Sequence, residues 1–164
     1  MKKTILFILL VLMLAGCTKN TEIKKNNELS SQHQEETEMS FHYLSESLKT
    51  FNEKKFDQSI SYAQKCIDAY EKVVILSQDG KDVAKNAKLD AWIQDFKKIS
   101  IDSEKIRIQQ CELLKSASSE SKQLNPDHEI VAKTINEISD LNDQFNKLQK
   151  TLNDMQNQYS KNFK

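Results

Sequence analysis

Glycine, proline and arginine are nearly missing from this 164-residue chain, which has two glycines, one proline and a single arginine, Arg107. Beyond residue 16 the only glycine is Gly80. Phosphate loops, dinucleotide fingerprints and nucleophile elbows each need two or more glycines at fixed spacing, so those chemistries are excluded. One arginine and no basic run interleaved with aromatics exclude a nucleic-acid face. Three histidines, His33, His42 and His128, are too scattered for a catalytic triad. His42 and Glu46 share a helical face, but di-iron bundles use paired Glu-x-x-His motifs and this chain has none, which makes His42 a solvated side chain. The sequence therefore leads us to expect no catalytic residue, no metal and no cofactor.

What the chain does have begins at its start. Lys2 and Lys3 precede an apolar run from Ile5 to Leu14, too short for a bilayer crossing of roughly 20 residues. The run ends in Leu14-Ala15-Gly16-Cys17, which resembles the lipobox of bacterial lipoproteins. That resemblance implies cleavage after Gly16, with Leu14, Ala15 and Gly16 as the recognition residues. Cys17 would carry a diacylglyceryl thioether, and often a third, palmitate-like chain. Each buried methylene contributes about 0.8 kcal/mol, so two or three chains anchor firmly where one binds marginally. The expected location is a lipid-anchored position at the cell membrane, facing away from the cytoplasm. Thr18, standing where an Asp would hold the protein back, resembles the enteric pattern for outer-membrane delivery in a two-membrane host.

Removing Lys2 and Lys3 from 24 basic residues leaves 22 against 24 acidic, a mature chain near −2. Residues 17–39 hold the lipidated cysteine and a stretch with only Ile23, Leu29 and Met39 as larger apolar groups, which predicts a flexible tether. Residues 40–164 then form the folded domain. Apolar residues recur there at steps of three and four, the period of one helical face, which predicts an all-α fold. Phe41, Leu44, Leu48 and Phe51 make one stripe, and Phe56, Ile60, Ala63, Ile67, Tyr70 and Val74 a second, with a turn at 52–54. Gly80 predicts a helix stop. A third helix over 82–122 carries Leu89, Trp92, Ile93, Phe96, Ile99, Ile106, Leu113 and Ala117, with Ser103 and Gln110 at seam positions and a candidate break at 100–103.

Asn125-Pro126-Asp127 predicts the start of a fourth helix, with Asn as its cap. Val131, Thr134, Ile138, Leu141, Phe145, Leu148, Leu152, Met155 and Tyr159 follow alternating steps without a slip, the signature of a coiled-coil seam. The expected architecture is an elongated bundle of about four helices ending in a long antiparallel coiled-coil hairpin. The first two helices would cover its open end near Trp92 and Tyr159.

Phe56, Ser59, Ile60, Cys66 and Ile67 resemble the second helix of a tetratricopeptide repeat. Ala63 departs from that pattern and no copy follows at 34 residues, so the resemblance implies no peptide groove. Cys66 and Cys111 remain after lipidation. With a reversal at residue 79 they sit 19 residues out of step, roughly 28 Å, which predicts buried free thiols unless the helix breaks near Ser100 or a second copy bridges them. These readings describe a helical interaction or scaffold protein at the envelope, its partner another envelope protein or a second copy of itself. Trp92, Ile138, Phe145, Leu152 and Tyr159 are its candidate contacts. The alternative is a module binding a small ligand, peptide or wall polymer.

Overall fold

A computed structural model describes residues 20–86 and 91–160. Four long helices account for nearly all of them: α1 (Asn20–Asn52), α2 (Phe56–Asn86), α3 (Ala91–Ser121) and α4 (His128–Ser160). Among the described residues there is no strand. At about 1.5 Å per residue, the 33-residue helices α1 and α4 are each about 50 Å long. α1 packs on α2, α2 on α3 and α3 on α4, while α1 touches α3 more sparsely.

The first turn follows from local hydrogen bonding. Lys55 N–H donates to Thr50 O and Lys54 N–H to Phe51 O, closing the end of α1 in a Schellman arrangement. Lys54 takes the left-handed position with φ 59°, where glycine is the usual occupant. The second described turn is closed by Asp127. Its carboxylate accepts the N–H groups of Glu129 (2.9 Å) and Ile130 (3.0 Å), so Asp127, not Asn125, caps α4.

Several expectations are corrected. Residues 20–39 are not a coil but the first half of α1. They carry only Ile23, Leu29 and Met39 as larger apolar groups, and polar contacts dock them: His33 on Glu104, and Lys72 on Glu36 at 3.5 Å. Gly80 does not stop α2, which runs through it to Asn86. A Cβ on Gly80 would lie 3.2 Å from Lys97 Nζ, so the missing side chain admits the ammonium from α3. The third helix starts at Ala91 and not 82, and it passes through 100–103 unbroken. Leu89 lies outside the described residues. Helices α1 and α2, at 33 and 31 residues, are each about the length of a whole tetratricopeptide repeat, so that resemblance does not extend to the fold.

The reversal therefore falls between the end of α2 at Asn86 and the start of α3 at Ala91, later than the expected residue 79. Cys66 and Cys111 are then equally far from it, and they are joined in a disulfide with Cα atoms 6.1 Å apart. The bond sits inside the main apolar cluster, among Leu44, Ile67, Tyr70, Val73 and Leu114. The first stripe is also shifted: Phe41 and Leu48 are exposed, and the buried face of α1 runs through Ser40, Leu44, Ser47 and Thr50. Small residues there let the helices approach closely. Ser47 Oγ donates to Ser59 O (2.8 Å), Ser59 Oγ donates to Ser47 O (2.9 Å), and Ser59 Oγ lies 2.8 Å from Ser118 Oγ of α3.

Candidate functional site

Two features stand out: the seam of α3, which is polar where a bundle core is usually apolar, and the end of the bundle nearest Cys17. The buried residues of α3 include Ser103, Glu104, Arg107 and Gln110 beside Ile101, Cys111 and Leu114. Ser103 and Gln110 fall at seam positions as the spacing predicts. Glu104 and Arg107 were not legible as interior groups, because a charged residue is rarely buried unless paired, and their partners are distant in sequence. Glu104 Oε1 accepts Ser77 Oγ (2.8 Å) and Ser100 Oγ (3.1 Å) and pairs with His33 Nε2 (2.9 Å). One carboxylate oxygen thus ties α1, α2 and α3 at a single level.

Arg107 turns the other way, toward α4. It donates to Gln110 Oε1 (2.6 Å) and Asn142 Oδ1 (3.3 Å), and its guanidinium lies 3.5 Å from the centre of the Phe145 ring. Gln110 Nε2 donates to Ile138 O (3.1 Å), and Gln149 Nε2 to Ser103 Oγ (3.4 Å). Burial lowers the Arg107 pKa, with Tyr70 opposing. Burial also pushes the Tyr70 hydroxyl up to about 12, Arg107 opposing and Glu104 adding to the rise. Lys97 is lowered by burial and partly restored by Glu104. Chemically this seam favours one register, since Glu104, Arg107 and Gln110 each meet partners on a neighbouring helix, with Glu104 Oε2 and Arg107 Nε buried without a hydrogen bond. It does not lay out a nucleophile and base, since Ser77 and His33 both meet Glu104 where a triad needs the serine on the histidine.

The candidate contacts on α4 and at Trp92 are engaged within the chain. Trp92 stacks on Tyr159, ring centres 4.3 Å apart and planes 9° from parallel. Leu152 is buried, Ile138 packs against the main cluster, and Phe145 lies under Arg107. They close α4 onto α3 and do not form a free face. His42 is exposed against Tyr43, and among the described residues no three His, Cys, Asp or Glu side chains gather as a metal set. An open groove between α2 and α3 is lined by Gln64, Ile67, Glu112, Lys115, Ser116 and Ser119, and the Lys115 to Gln64 hydrogen bond (2.6 Å) spans it.

Leu14, Ala15, Gly16 and Cys17 lie outside the described residues, but α1 begins three residues after Cys17. A trans chain reaches at most about 3.6 Å per residue, so the first turn of α1 starts within about 11 Å of the Cys17 Cα. The paired residues along α1–α2 and α3–α4 keep the helices in step. The end of α2, Trp92 and Tyr159 therefore sit at the end of the bundle where α1 begins, and the 53–55 and 122–127 turns at the other.

Residues 1–18 match the family model of the prokaryotic membrane lipoprotein lipid attachment site. By that signal the chain is a bacterial lipoprotein, held at a membrane by lipid. Among the described residues no helix is long and apolar enough to cross a membrane. No curated protein and no solved structure matches the chain.

Proposed function

We propose that the protein is an interaction scaffold of the cell envelope, anchored by lipid at Cys17 on the side away from the cytoplasm, which carries a contact surface at its far end. The observation that carries this reading is Leu124, 98% exposed in the turn opposite the anchor, followed by the half-exposed Ile130 in the first turn of α4. Phe41, Leu48 and Ile75 are partly exposed along the rod, but Leu124 stands almost fully in solvent at the tip, about 50 Å from the lipid. The α3–α4 pair, read as a coiled-coil hairpin, supplies the stiffness that holds the tip there. The Cys66–Cys111 disulfide supports a compartment outside the reducing cytoplasm. No enzymatic step belongs to this reading.

A photo-crosslinking residue in place of Leu124, compared with one at the exposed mid-rod Lys105, tests it in the native envelope. Adducts with another envelope protein should form from Leu124 and not from Lys105. No adduct at Leu124, or equal yields from both, would contradict the proposal, and a product of twice the chain's mass would assign the tip to a second copy.

A further inference from the structure

The chain has three cysteines, and two different chemistries claim them: Cys17 is the lipid attachment residue, while Cys66 and Cys111 are bonded to each other. Both bonded cysteines are 0% exposed, packed among Leu44, Tyr70, Val73 and Leu114 where α1, α2 and α3 meet. An oxidant that works by thiol–disulfide exchange has to touch a sulfur, so it reaches neither one after those three helices have closed. The bond is therefore made in a chain whose core is still open.

In an open chain, pairing follows loop statistics. The closure cost rises as (3/2)RT ln n, so the frequency of each pairing falls as the 3/2 power of its separation. The separations are 49 residues for Cys17 with Cys66, 94 for Cys17 with Cys111 and 45 for Cys66 with Cys111. A free Cys17 thiol would enter roughly half of the first closures. Neither of its two bonds is compatible with the bundle. Leu44 marks the level of the disulfide on α1, and Asn20 lies about 36 Å back along that helix at about 1.5 Å per residue. Three residues of chain reach at most about 11 Å, whereas bonded cysteines need Cα atoms within about 7 Å of each other. A bond to Cys17 would thus hold α1 off the core.

We propose that diacylglyceryl transfer to Cys17 precedes the oxidation of Cys66 and Cys111 and directs it, because the thioether withdraws the one thiol whose pairing would block folding. In the transfer, the Cys17 sulfur bonds to the glyceryl carbon of a donor phospholipid and the thiol proton leaves. The carbon–oxygen bond to the headgroup phosphate breaks, and the phosphate keeps the electron pair. In the oxidation, a disulfide-bearing oxidant outside the cytoplasm takes two electrons and two protons from Cys66 and Cys111 and becomes a dithiol. The anchor is then also a protecting group. This inference rests on the lipid attachment at Cys17 and not on any partner at the tip.

The test expresses full-length wild type and Cys17→Ala in bacteria with and without diacylglyceryl transferase. Thiols are trapped by acid and alkylated shortly after a pulse of synthesis, and the bonds are mapped by non-reducing peptide mass spectrometry. With the transferase, wild type should carry Cys66–Cys111 alone. Without it, about half of the oxidised wild-type chains should hold Cys17 bonded to Cys66, to Cys111 or to a second chain, and Cys17→Ala should return to Cys66–Cys111. Wild type that pairs only Cys66 with Cys111 in the absence of transferase would overturn the proposal. So would a Cys17→Ala chain that fails to form the bond, since the lipid would then act otherwise than by masking a thiol. Fatty-acid uptake separates the two levels: labelled wild type that still pairs correctly without transferase refutes the ordering alone, whereas wild type that takes up no label with transferase present refutes the attachment itself.

Discussion

His33 Nε2 lies 2.9 Å from Glu104 Oε1 across 71 residues of sequence, and this contact is the main polar tie between the first half of α1 and the bundle interior. Glu36 with Lys72 is the other, and it lies nearer solvent. Replacing His33 with alanine leaves the buried carboxylate with two serine donors and removes the tie to α1. Amide hydrogen exchange should accelerate over residues 28–39 and stay unchanged in the Leu44–Cys66–Leu114 cluster. Uniform acceleration along the chain would show that the contact is not a local latch.

The Cys66–Cys111 bond joins residues 45 apart, so reducing it releases a loop whose closure entropy is worth about 4 kcal/mol in the chain-entropy account. The paired Cys66→Ser and Cys111→Ser variant should lose between about 2 and about 4 kcal/mol in urea unfolding while keeping its helical circular dichroism. Unfolding curves that are the same with and without reductant would contradict the cross-link.

Tyr70 gives the protein an alkaline limb. Its hydroxyl pKa is raised to about 12, so between pH 10 and 12 the folded state holds a proton that the unfolded chain releases, and stability falls as pH rises through that window. Lys97 has the opposite sign: its lowered pKa makes the unfolded chain the better proton binder below 10.5, so stability rises with pH there. Tyr70→Phe removes the first effect only. The wild type should lose about 1 kcal/mol more than the variant between pH 9 and pH 11, measured by urea midpoints. Parallel losses would rule out Tyr70 as the source.

Lys54 occupies the left-handed position that closes α1, where a Cβ costs about 1 kcal/mol. Lys54→Gly should therefore raise stability by about that amount, visible as a rise of about 3 °C in the thermal midpoint. A lower midpoint would mean that glycine's extra freedom in the unfolded chain outweighs the relief.

The helical period, the turn near 52–54 and the start near Asp127 were legible because each depends on neighbours in sequence. Cys17 was legible because a lipobox is a contiguous signal read before folding. The passage of α2 through Gly80 was not, since a mid-helix glycine costs about 1 kcal/mol and only the Lys97 ammonium packed over it shows why the helix continues. That one displaced stop moves the reversal beyond Asn86 and brings into contact two cysteines that a reversal at residue 79 would hold about 28 Å apart. The helical character of residues 20–39 was hidden for a related reason: polar residues without an apolar stripe fold only against partners such as Glu104 and Lys72 on other helices.

The central claim is that acyl chains on the Cys17 sulfur hold this bundle at a membrane, and metabolic labelling with a clickable fatty acid measures it directly. The wild-type protein should take up label and float with membranes, and Cys17→Ala should lose both. Label and membrane retention that persist in Cys17→Ala would contradict the account.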